Sequence, residues 1–415
     1  MPDYSLAIDL GTTTLAASLI DCDSGQRIAM TGALNPQRCF GADVVSRLDA
    51  AIHSEAAKSE MTSLIRAELL RMGQQLCQQS GIAWKDVRRA AIAGNPAMQH
   101  ILLGLPLKSL ASPPYRPLQT SGTHLKSTDL DWDGQADIYI FPMPGGFVGG
   151  DTVAFIHGAR PDDATLCLDM GTNGEIALIS GSTIWATSAA AGPAFEGGNL
   201  SCGMAALPGA INSVQFDGDR VRLQVIGGGQ PLGICGSAAI EALCELLRCG
   251  VVEPGGRLRD AHELSSNLAS RIISHQGANA FALHRDAQRR ILLTQDDIRQ
   301  LQLAKSALRA GIEVLSERSC IQCQALRNVL LTGSFGAVLR AEWLKTIGIF
   351  DESMIHISRF QPEGALAGAE TALMQDDGFR SVEKLGQRFR VVPLSGTPLF
   401  ETRFIQNIDF PVYRS

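Results

Sequence analysis

Two short segments of the sequence nearly repeat each other about 160 residues apart. Residues 8–14 read IDLGTTT, and residues 168–175 read LDMGTNGE. Each is an apolar run that ends in Asp and is followed by Gly and by hydroxyl or amide residues, which predicts a β-hairpin with a tight turn. A turn rich in Gly and Thr exposes backbone N–H groups that can bind phosphate oxygens, and the Asp can reach a hydrated Mg²⁺. Two such turns predict a duplicated domain that holds a nucleotide from both sides.

Composition narrows the class of protein further. The chain has 415 residues, of which 45% are hydrophobic and 19% charged, as is typical of globular domains. The net charge of −6 gives no electrostatic reason to expect nucleic-acid binding. No apolar stretch approaches the about 18–20 residues of a membrane span, and no signal peptide is visible. We therefore expect a cytoplasmic protein with neither a nucleic-acid nor a membrane partner.

The ten cysteines do not form a metal-binding pattern. Cys320 and Cys323 make the only C-x-x-C pair, and a four-thiolate site needs a second pair with comparable spacing. The histidines show no paired spacing on one helix face. We expect no iron–sulfur cluster or zinc site within this chain.

Hydrophobic periodicity predicts alternating helices and strands in both halves, which is typical of an α/β protein with mixed sheets. Residues 41–79 have a helical pattern, 111–134 are predicted to be a loop, and Asp151 is expected at the N-cap or in the first turn of a helix. A helix is predicted over 294–315, where Thr-x-x-Asp resembles a capping box. Residues after 374 are expected to be strand-like and loop.

A third glycine-bearing strand end follows near residue 333. Its small residues, Gly333, Ser334 and Gly336, would let a purine or ribose lie against the backbone. The three strand ends, in this order, resemble the actin-like ATPase superfamily of sugar kinases, chaperone ATPases and actin, whereas no P-loop motif occurs. The resemblance implies a ribonuclease H-like duplicated, two-lobed α/β fold with mixed sheets flanked by helices. Lobe I would span residues 1–160, lobe II 161–375, and a C-terminal segment, 376–415, would pack back on the lobes.

Longer motifs resemble one actin-like family, the reductive activators of corrinoid enzymes. They lie at residues 35–47, 94–98, 146–152, 168–177, 191–197, 233–237 and 301–305, and the resemblance extends from residue 7 to about 411. Members use ATP to help return an inactive cobalt(II) corrinoid to cobalt(I) in a partner protein. The resemblance therefore implies ATP and Mg²⁺ as cofactors, slow ATP hydrolysis, and a corrinoid protein or cobalamin-dependent methyltransferase as partner. It is also compatible with a homodimer.

One departure from the family concerns electron supply. Members usually carry a plant-type [2Fe–2S] ferredoxin domain before the actin-like part, whereas this sequence starts at the actin-like strand. We expect a separate ferredoxin or flavin reductase to deliver the electron.

The resemblance also implies roles for individual residues. Asp9 and Asp169 would hold Mg²⁺ through water, and Asp151 would orient the attacking water. Lys305 would line the adenosine pocket, and Arg38, Asp43 and Arg47 could face the partner. The nucleotide-binding residues would be Gly11, Thr12, Thr13, Thr14, Gly171, Thr172, Asn173, Gly174, Glu175, Lys305, Gly333, Ser334, Phe335 and Gly336.

Three other functions remain open at this stage. A small-molecule kinase on the same scaffold would use Asp151 as its base. An activator of the dehydratase type would share one [4Fe–4S] cluster between two subunits through Cys320 and Cys323. A non-enzymatic, ATP-gated scaffold for a corrinoid protein would differ from the first function only in lacking the reduction step.

Overall fold

The computed structural model describes residues 3–41, 43–171, 173–333 and 339–412. The chain divides into two compact units. The first comprises Met1–Asp163, Ile179–Thr187 and Glu363–Val392, and the second Ala164–Leu178, Ser188–Pro362 and Pro393–Ser415. Over the described ranges, none of the helices combines the length and the apolar character that a membrane span requires.

The strands are β1 Tyr4–Leu10, β2 Thr14–Asp21, β3 Arg27–Leu34, β4 Val87–Gly94, β5 Thr123–Lys126, β6 Asp137–Ile140, β7 Thr165–Met170, β8 Gly174–Ser180, β9 Thr183–Ala189, β10 Ala210–Asp217, β11 Arg220–Val225, β12 Gly233–Ile234, β13 Ile272–His275, β14 Ala278–Arg285, β15 Arg290–Thr294, β16 Asn328–Thr332, β17 Ser358–Phe360 and β18 Phe389–Val391. Most of them belong to two six-stranded sheets, with orders β3-β2-β1-β4-β6-β5 and β17-β16-β7-β8-β9-β18. Two three-stranded sheets have orders β11-β10-β12 and β13-β14-β15.

The helices are α1 Val44–His53, α2 Glu55–Ser80, α3 Pro96–Leu103, α4 Lys108–Ala111, α5 Gly150–Ala159, α6 Gly236–Arg248, α7 Gln295–Ser319, α8 Ala341–Thr346, α9 Glu352–Ile355, α10 Gly364–Met374, α11 Gly378–Gly386 and α12 Pro398–Gln406. Side-chain caps define several of their starts. The hydroxyl of Ser54 accepts a hydrogen bond from the Ala57 N–H, which ends α1 and begins α2. Thr294 and Asp297 form the predicted capping box of α7.

The core of the first unit forms where the long helix α2 covers the first sheet. Leu6, Ile8 and Leu10 of β1 are fully buried together with Ile65 and Leu69 of α2. These helix residues are spaced by four, so they share one face. Burial of an apolar face of this kind supplies most of the stability of a sheet–helix layer.

Helices α5 and α10 of the first unit pack at very close range. A Cβ atom added at Gly368 would lie 1.7 Å from the carbonyl oxygen of Ala154, so only glycine permits this approach. Arg27 Nε donates to Glu370 of α10 at 2.7 Å, and Arg27 Nη1 donates to Glu363 at 2.7 Å. These bonds tie α10 to the first sheet.

Several elements differ from the sequence-based expectation. The predicted loop 111–134 contains β5, and the region expected to lack helices contains α11 and α12. Helix α11 was missed because its apolar residues are few, although they lie on one face and Val382 is fully buried. Helix α12 begins with Pro398 in its first turn, a start signal that the sequence did contain.

Candidate functional site

The first of the two repeated segments forms the predicted hairpin. Strands β1 and β2 pair antiparallel from Tyr4–Asp21 to Leu10–Leu15, and residues 11–13 form the turn. A Cβ atom added at Gly11 would lie 2.3 Å from the carbonyl oxygen of Thr14, so no larger residue fits without moving the backbone. Asp9 lies near the end of β1 and is partly exposed, whereas Thr13 and Thr14 are exposed. The turn therefore presents its backbone and its threonines to solvent.

Two asparagine side chains from other elements hold this turn. The buried Asn35 donates from Nδ2 to the Gly11 carbonyl oxygen at 2.9 Å, and its backbone N–H donates to the Thr13 carbonyl oxygen at 2.9 Å. Asn95 donates from Nδ2 to Thr12 Oγ1 at 2.8 Å. Its Oδ1 accepts from the Met98 N–H at 3.0 Å and so caps α3. Both residues lie in motifs noted in the sequence, but no role was predicted for either.

The parallel strands β1, β4 and β6 end at the same edge of the first sheet. Leu10 is paired with Gly94 in β4, and Ile92 of β4 is paired with Ile140 of β6. In open α/β sheets, ligands bind beyond the carboxyl ends of such strands. Asp9, Asn95 and the loop that leads to Asp151 are all placed at this edge.

Asp151 lies in the first turn of α5, as predicted, next to the Asn95 loop. A Cβ atom added at Gly149 would lie 2.5 Å from the Gly94 carbonyl oxygen. The Gly150 N–H donates to Gln99 Oε1 at 3.1 Å, which fixes the start of the helix against α3. This packing depends on glycine at position 149, because a side chain would collide with the backbone of the Asn95 loop.

Burial raises the pKa of Asp151 to about 6, against an opposing hydrogen bond from the Thr152 N–H at 2.7 Å. A carboxyl group with this pKa is mostly ionised at neutral pH and is still basic enough to accept a proton. General bases work best when their pKa is close to the operating pH. The environment of Asp151 therefore suits it to orient and deprotonate a water molecule.

The second repeated segment forms the corresponding hairpin in the second unit. Strands β7 and β8 pair antiparallel, with Asp169 opposite Glu175 and Met170 opposite Gly174. The Gly171 N–H donates to the Asn173 carbonyl oxygen at 3.1 Å. A Cβ atom added at Gly174 would lie 2.1 Å from Leu308 Cδ2, so this glycine lets α7 pack closely on the hairpin. The predicted hairpin is confirmed.

Two carboxyl groups lie near the second turn. Glu175 accepts a hydrogen bond from the Ser188 hydroxyl at 3.2 Å, and Glu196 Oε1 would lie 3.9 Å from a Cβ atom added at Gly171.

Gly333, in the third strand end, follows β16, the parallel neighbour of β7, and has a φ of +111°. A Cβ atom there would lie 3.0 Å from Asp169 Oδ1, so the third strand end lies beside the second. Thr172, Ser334, Phe335 and Gly336 lie outside the described residues.

The predicted magnesium ligands are compatible with indirect coordination. Over the described residues, no three His, Cys, Asp or Glu side chains are grouped to hold a metal ion. Magnesium usually retains several waters and needs only one or two carboxylates. Asp9 and Asp169, each at the end of a strand, are carboxylates of this kind. Their role, like that of the other predicted nucleotide-binding residues, stays a prediction.

Lys305 on α7 has a structural role that the sequence did not predict. Its side chain is buried, and Nζ donates to the carbonyl oxygens of Asn407 and Asp409 at 2.5 Å each. Burial lowers the pKa of Lys305 to about 8. The ammonium group also lies 5.2 Å from the ring centre of Phe410. Lys305 thus fixes the C-terminal segment to α7, and its predicted contact with adenosine is untested.

The expectation that Arg47 faces a partner is wrong. Its side chain is fully buried, with Nε donating to the Gly41 carbonyl oxygen at 3.0 Å and Nη1 donating to Gln37 Oε1 at 3.4 Å. Burial lowers the pKa of Arg47 to about 10. Asp43 caps α1 by accepting from the Ser46 N–H at 2.8 Å. This segment therefore uses both residues to build the fold.

Cys320 and Cys323, the two cysteines of the C-x-x-C sequence, differ in exposure. Cys320 is exposed, whereas Cys323 is buried, and burial raises the pKa of the Cys323 thiol. A cluster shared between subunits needs thiolates at a surface. The environment of Cys323 counts against the dehydratase-type alternative.

Comparison with known families identifies the class of protein first. Residues 163–415 match the family described as the C-terminal domain of RACo, the ASKHA domain, and residues 4–162 match the RACo middle region. The predicted actin-like fold with mixed sheets and flanking helices is therefore confirmed. The chain belongs to the RACo family.

Individual relatives agree with this assignment. The chain is 30% identical over 421 residues to the corrinoid activation enzyme RamQ of Eubacterium limosum, a match that covers 99% of this chain and 70% of that protein. It is 25% identical over 383 residues to the Co(II) methylated amine-specific corrinoid protein reductase of Methanosarcina barkeri, covering 83% and 65%. The solved structure of a reductive activator for corrinoid, iron–sulfur protein superposes with a TM-score of 0.86 at 29% identity, covering 99% and 66%. The chain thus spans about two thirds of the length of these relatives.

Proposed function

We propose that this chain is the ATP-dependent part of an activator that returns an inactive corrinoid protein from cobalt(II) to cobalt(I). The chemical change in the partner is the gain of one electron by cobalt(II), and the donor of that electron is a separate ferredoxin or flavin reductase. The partner is a corrinoid protein or a cobalamin-dependent methyltransferase. The proposal rests on membership of the RACo family and on the geometry of the first turn.

The observation that carries the ATP-binding part is the support of that turn by Asn35 and Asn95. Both amides donate to atoms of residues 11–12 over 2.8–2.9 Å, and Gly11 has no room for a side chain. A turn that is rigid before the ligand arrives loses little entropy on binding. Its backbone N–H groups and the hydroxyls of Thr13 and Thr14 are suited to phosphate oxygens.

The nucleotide supplies phosphate groups and, with Mg²⁺, the electrophilic phosphorus that water attacks. Asp9 and Asp169 would bind the hydrated Mg²⁺, and residues 171–175 would contact phosphates in the second unit. Gly333 and the residues after it would lie against the nucleoside. Asp151 would orient the attacking water and accept its proton, which its pKa of about 6 permits. Hydrolysis is expected to be slow, as membership of the family implies.

Nucleotide is needed because reduction of a corrinoid to cobalt(I) is unfavourable with ordinary cellular donors. For a one-electron step, about 60 mV corresponds to ~1.4 kcal/mol. An activator can lower this barrier only if it binds one state of the partner more tightly than another. We propose that bound nucleotide sets this preference and that a change in cobalt ligation follows in the partner.

A spectroscopic experiment tests the proposal. The partner corrinoid protein in its cobalt(II) state is mixed with this chain, with and without Mg-ATP, and the cobalt spectrum is recorded before and after a low-potential reductant is added. Formation of cobalt(I) only when chain and Mg-ATP are both present supports the proposal. An unchanged spectrum would overturn it. Calorimetry with Mg-ATP tests the ATP-binding part of the proposal separately from activation of the partner. If the chain does not bind Mg-ATP, the proposed role of the nucleotide is removed.

A further inference from the structure

The first unit contains a cavity whose lining does not include Asp151 or the residues next to it. It lies at the carboxyl end of α5 and has a volume of about 420 Å³. Residues of α5, of β9 and of α11 line it. Small-molecule sites commonly have this size and combine apolar walls with a few polar groups.

The walls of this cavity are apolar. Four aliphatic side chains contribute to them, namely Ile156, Ile179, Ile184 and Leu385. The first three are buried, with exposures of 0–2%. An apolar ligand group bound there would therefore displace water from apolar surface, which is favourable in free energy.

The rim of the cavity is cationic. Arg160, Lys384 and Arg388 all line it and are exposed. Arg388 donates from Nε to the Ser182 carbonyl oxygen at 2.8 Å and from Nη2 to the Gly181 carbonyl oxygen at 3.1 Å, which holds its guanidinium group in place. In the described part of the chain, no carboxylate forms an ion pair with any of the three. Their charges are therefore available to a ligand.

His157 provides an independent observation. It lines the cavity and is 6% exposed, and among the described residues its Nε2 atom has no hydrogen-bond partner although it is buried. Burial and the charge of Arg160 lower the pKa of His157, against the opposing charge of Asp377. A buried ring nitrogen without a partner is unfavourable, and a ligand oxygen would satisfy it.

Two local effects oppose an anion here. The carboxyl end of α5 carries the negative end of the helix dipole, equivalent to about half an elementary charge, and the carboxylate of Asp377 acts on His157. The three cationic side chains that line the rim outnumber these negative charges. The balance of charge at the rim therefore favours an anion.

We propose that this cavity binds a small organic anion, with a phosphate or carboxylate group at the cationic rim and His157, and an apolar body against the isoleucine walls. This inference is independent of the ATP site and of the corrinoid partner. It predicts a site on α5, the helix whose first turn carries Asp151.

Calorimetry with simple probes tests this assignment. Phenyl phosphate and benzoate carry the two candidate head groups, inorganic phosphate lacks the apolar body, and phenol lacks the charge. Each is titrated into the full chain in the presence of saturating Mg-ATP. We expect phenyl phosphate or benzoate to bind at least about fivefold more tightly than inorganic phosphate and phenol. The better of the two identifies the head group.

A matched pair of variants locates the site. Lys384→Gln removes a rim charge from an exposed position, and Lys85→Gln removes an exposed lysine elsewhere in the first unit. Lys384→Gln should weaken probe binding about fivefold or more, and Lys85→Gln should leave it unchanged. Equal binding by both variants, displacement of the probe by ATP, or no binding of any probe would overturn the proposal. Failure of ATP binding leaves this test intact, because the probe arms can be repeated without nucleotide.

Discussion

The two glycine turns share a sequence pattern but differ in how they are supported. The first turn is held by side chains from two other elements, Asn35 and Asn95. In the second turn, the Gly171 N–H bonds to Asn173 within the turn itself, and the carboxyl groups of Glu175 and Glu196 lie close by. The local motif therefore determines that a hairpin forms, whereas the rest of the chain determines what surrounds it. The first turn is held rigidly by amide donors, whereas the second has carboxyl groups beside it.

The largest expected contrast is in catalysis. Asp151→Asn should lower the ATPase rate about 10²–10⁴-fold, because it removes the base beside the first turn. Glu175→Gln, beside the second turn, should lower it less than about tenfold. Steady-state phosphate release measures both rates. Equal losses of ATPase rate in the two variants would contradict the assignment of Asp151 as the base.

The pH dependence of the same reaction follows from the pKa of Asp151. That pKa is raised to about 6, and the base must be deprotonated, so the rate should rise with pH through about 6 and level off above about 7. Steady-state phosphate release at several pH values measures this dependence.

The raised pKa of Asp151 also means that the folded protein favours the neutral form of this carboxyl group. Stability from this group is therefore lost as pH rises from about 4 to about 6, and Asp151→Asn should remove that loss. Urea unfolding at several pH values, with and without the substitution, checks the sign.

The two turns should also differ in how well their first glycine tolerates a side chain. Gly11→Ala places a Cβ atom 2.3 Å from a backbone oxygen, whereas at Gly171 the nearest atom would be 3.5 Å away. The first substitution should cost about 1–3 kcal/mol of unfolding free energy and weaken ATP binding at least about tenfold. The second should change stability by less than about 0.5 kcal/mol. Denaturant unfolding and calorimetry report both quantities, and a harmless Gly11→Ala would contradict the rigid-turn interpretation.

Lys305 in the second unit supports backbone carbonyls as Asn35 does in the first. Lys305→Met should lower the free energy of unfolding by about 1–2 kcal/mol, because two carbonyl oxygens lose their charged donor. Since the pKa of Lys305 is lowered to about 8, the unfolded chain binds more protons between about pH 8 and pH 10.5. Stability of the native protein should rise with pH across that window. If the Lys305→Met variant showed the same rise, another group would be responsible.

The substitution with the smallest expected effect tests the side-chain amide of Asn95. Asn95→Asp keeps the oxygen that caps α3 but removes the donor to Thr12. Stability should change by less than about 1 kcal/mol, while ATP affinity should fall about fivefold. Asn95→Ala removes both functions and serves as the comparison, with a further loss of about 1 kcal/mol in stability. Equal ATP affinity in the Asn95→Asp variant and the native chain would show that the first turn needs no support from this residue.

Local features of this protein could be predicted from its sequence, and long-range ones could not. The hairpins at Gly11 and Gly171 and the capping box at Thr294 depend on neighbouring residues, so their patterns were sufficient. The roles of Asn35 and Asn95 depend on contacts with a turn at residues 11–12, which is far earlier in the sequence in both cases. No local pattern reports such a contact.

Helix α1 shows the same limit for burial. Val45 and Ile52 belong to the apolar positions of the helical pattern over residues 41–79, yet they are 72% and 39% exposed, while the cationic Arg47 is fully buried. The hydrogen-bond acceptors at Gly41 and Gln37 make burial of Arg47 tolerable, and both belong to the preceding segment. Residue type alone therefore does not say which positions of this helix are buried.

The double duty of Asn95, which starts α3 and fixes Thr12 with the same side chain, has a consequence during synthesis. A nascent chain that has left the ribosome only as far as β4 has the glycine turn but not the amide that immobilises it. Such an intermediate should bind nucleotide poorly, so ligand would not stabilise incomplete chains. Nucleotide occupancy would then mark only molecules whose amino-terminal sheet and third helix have already come together.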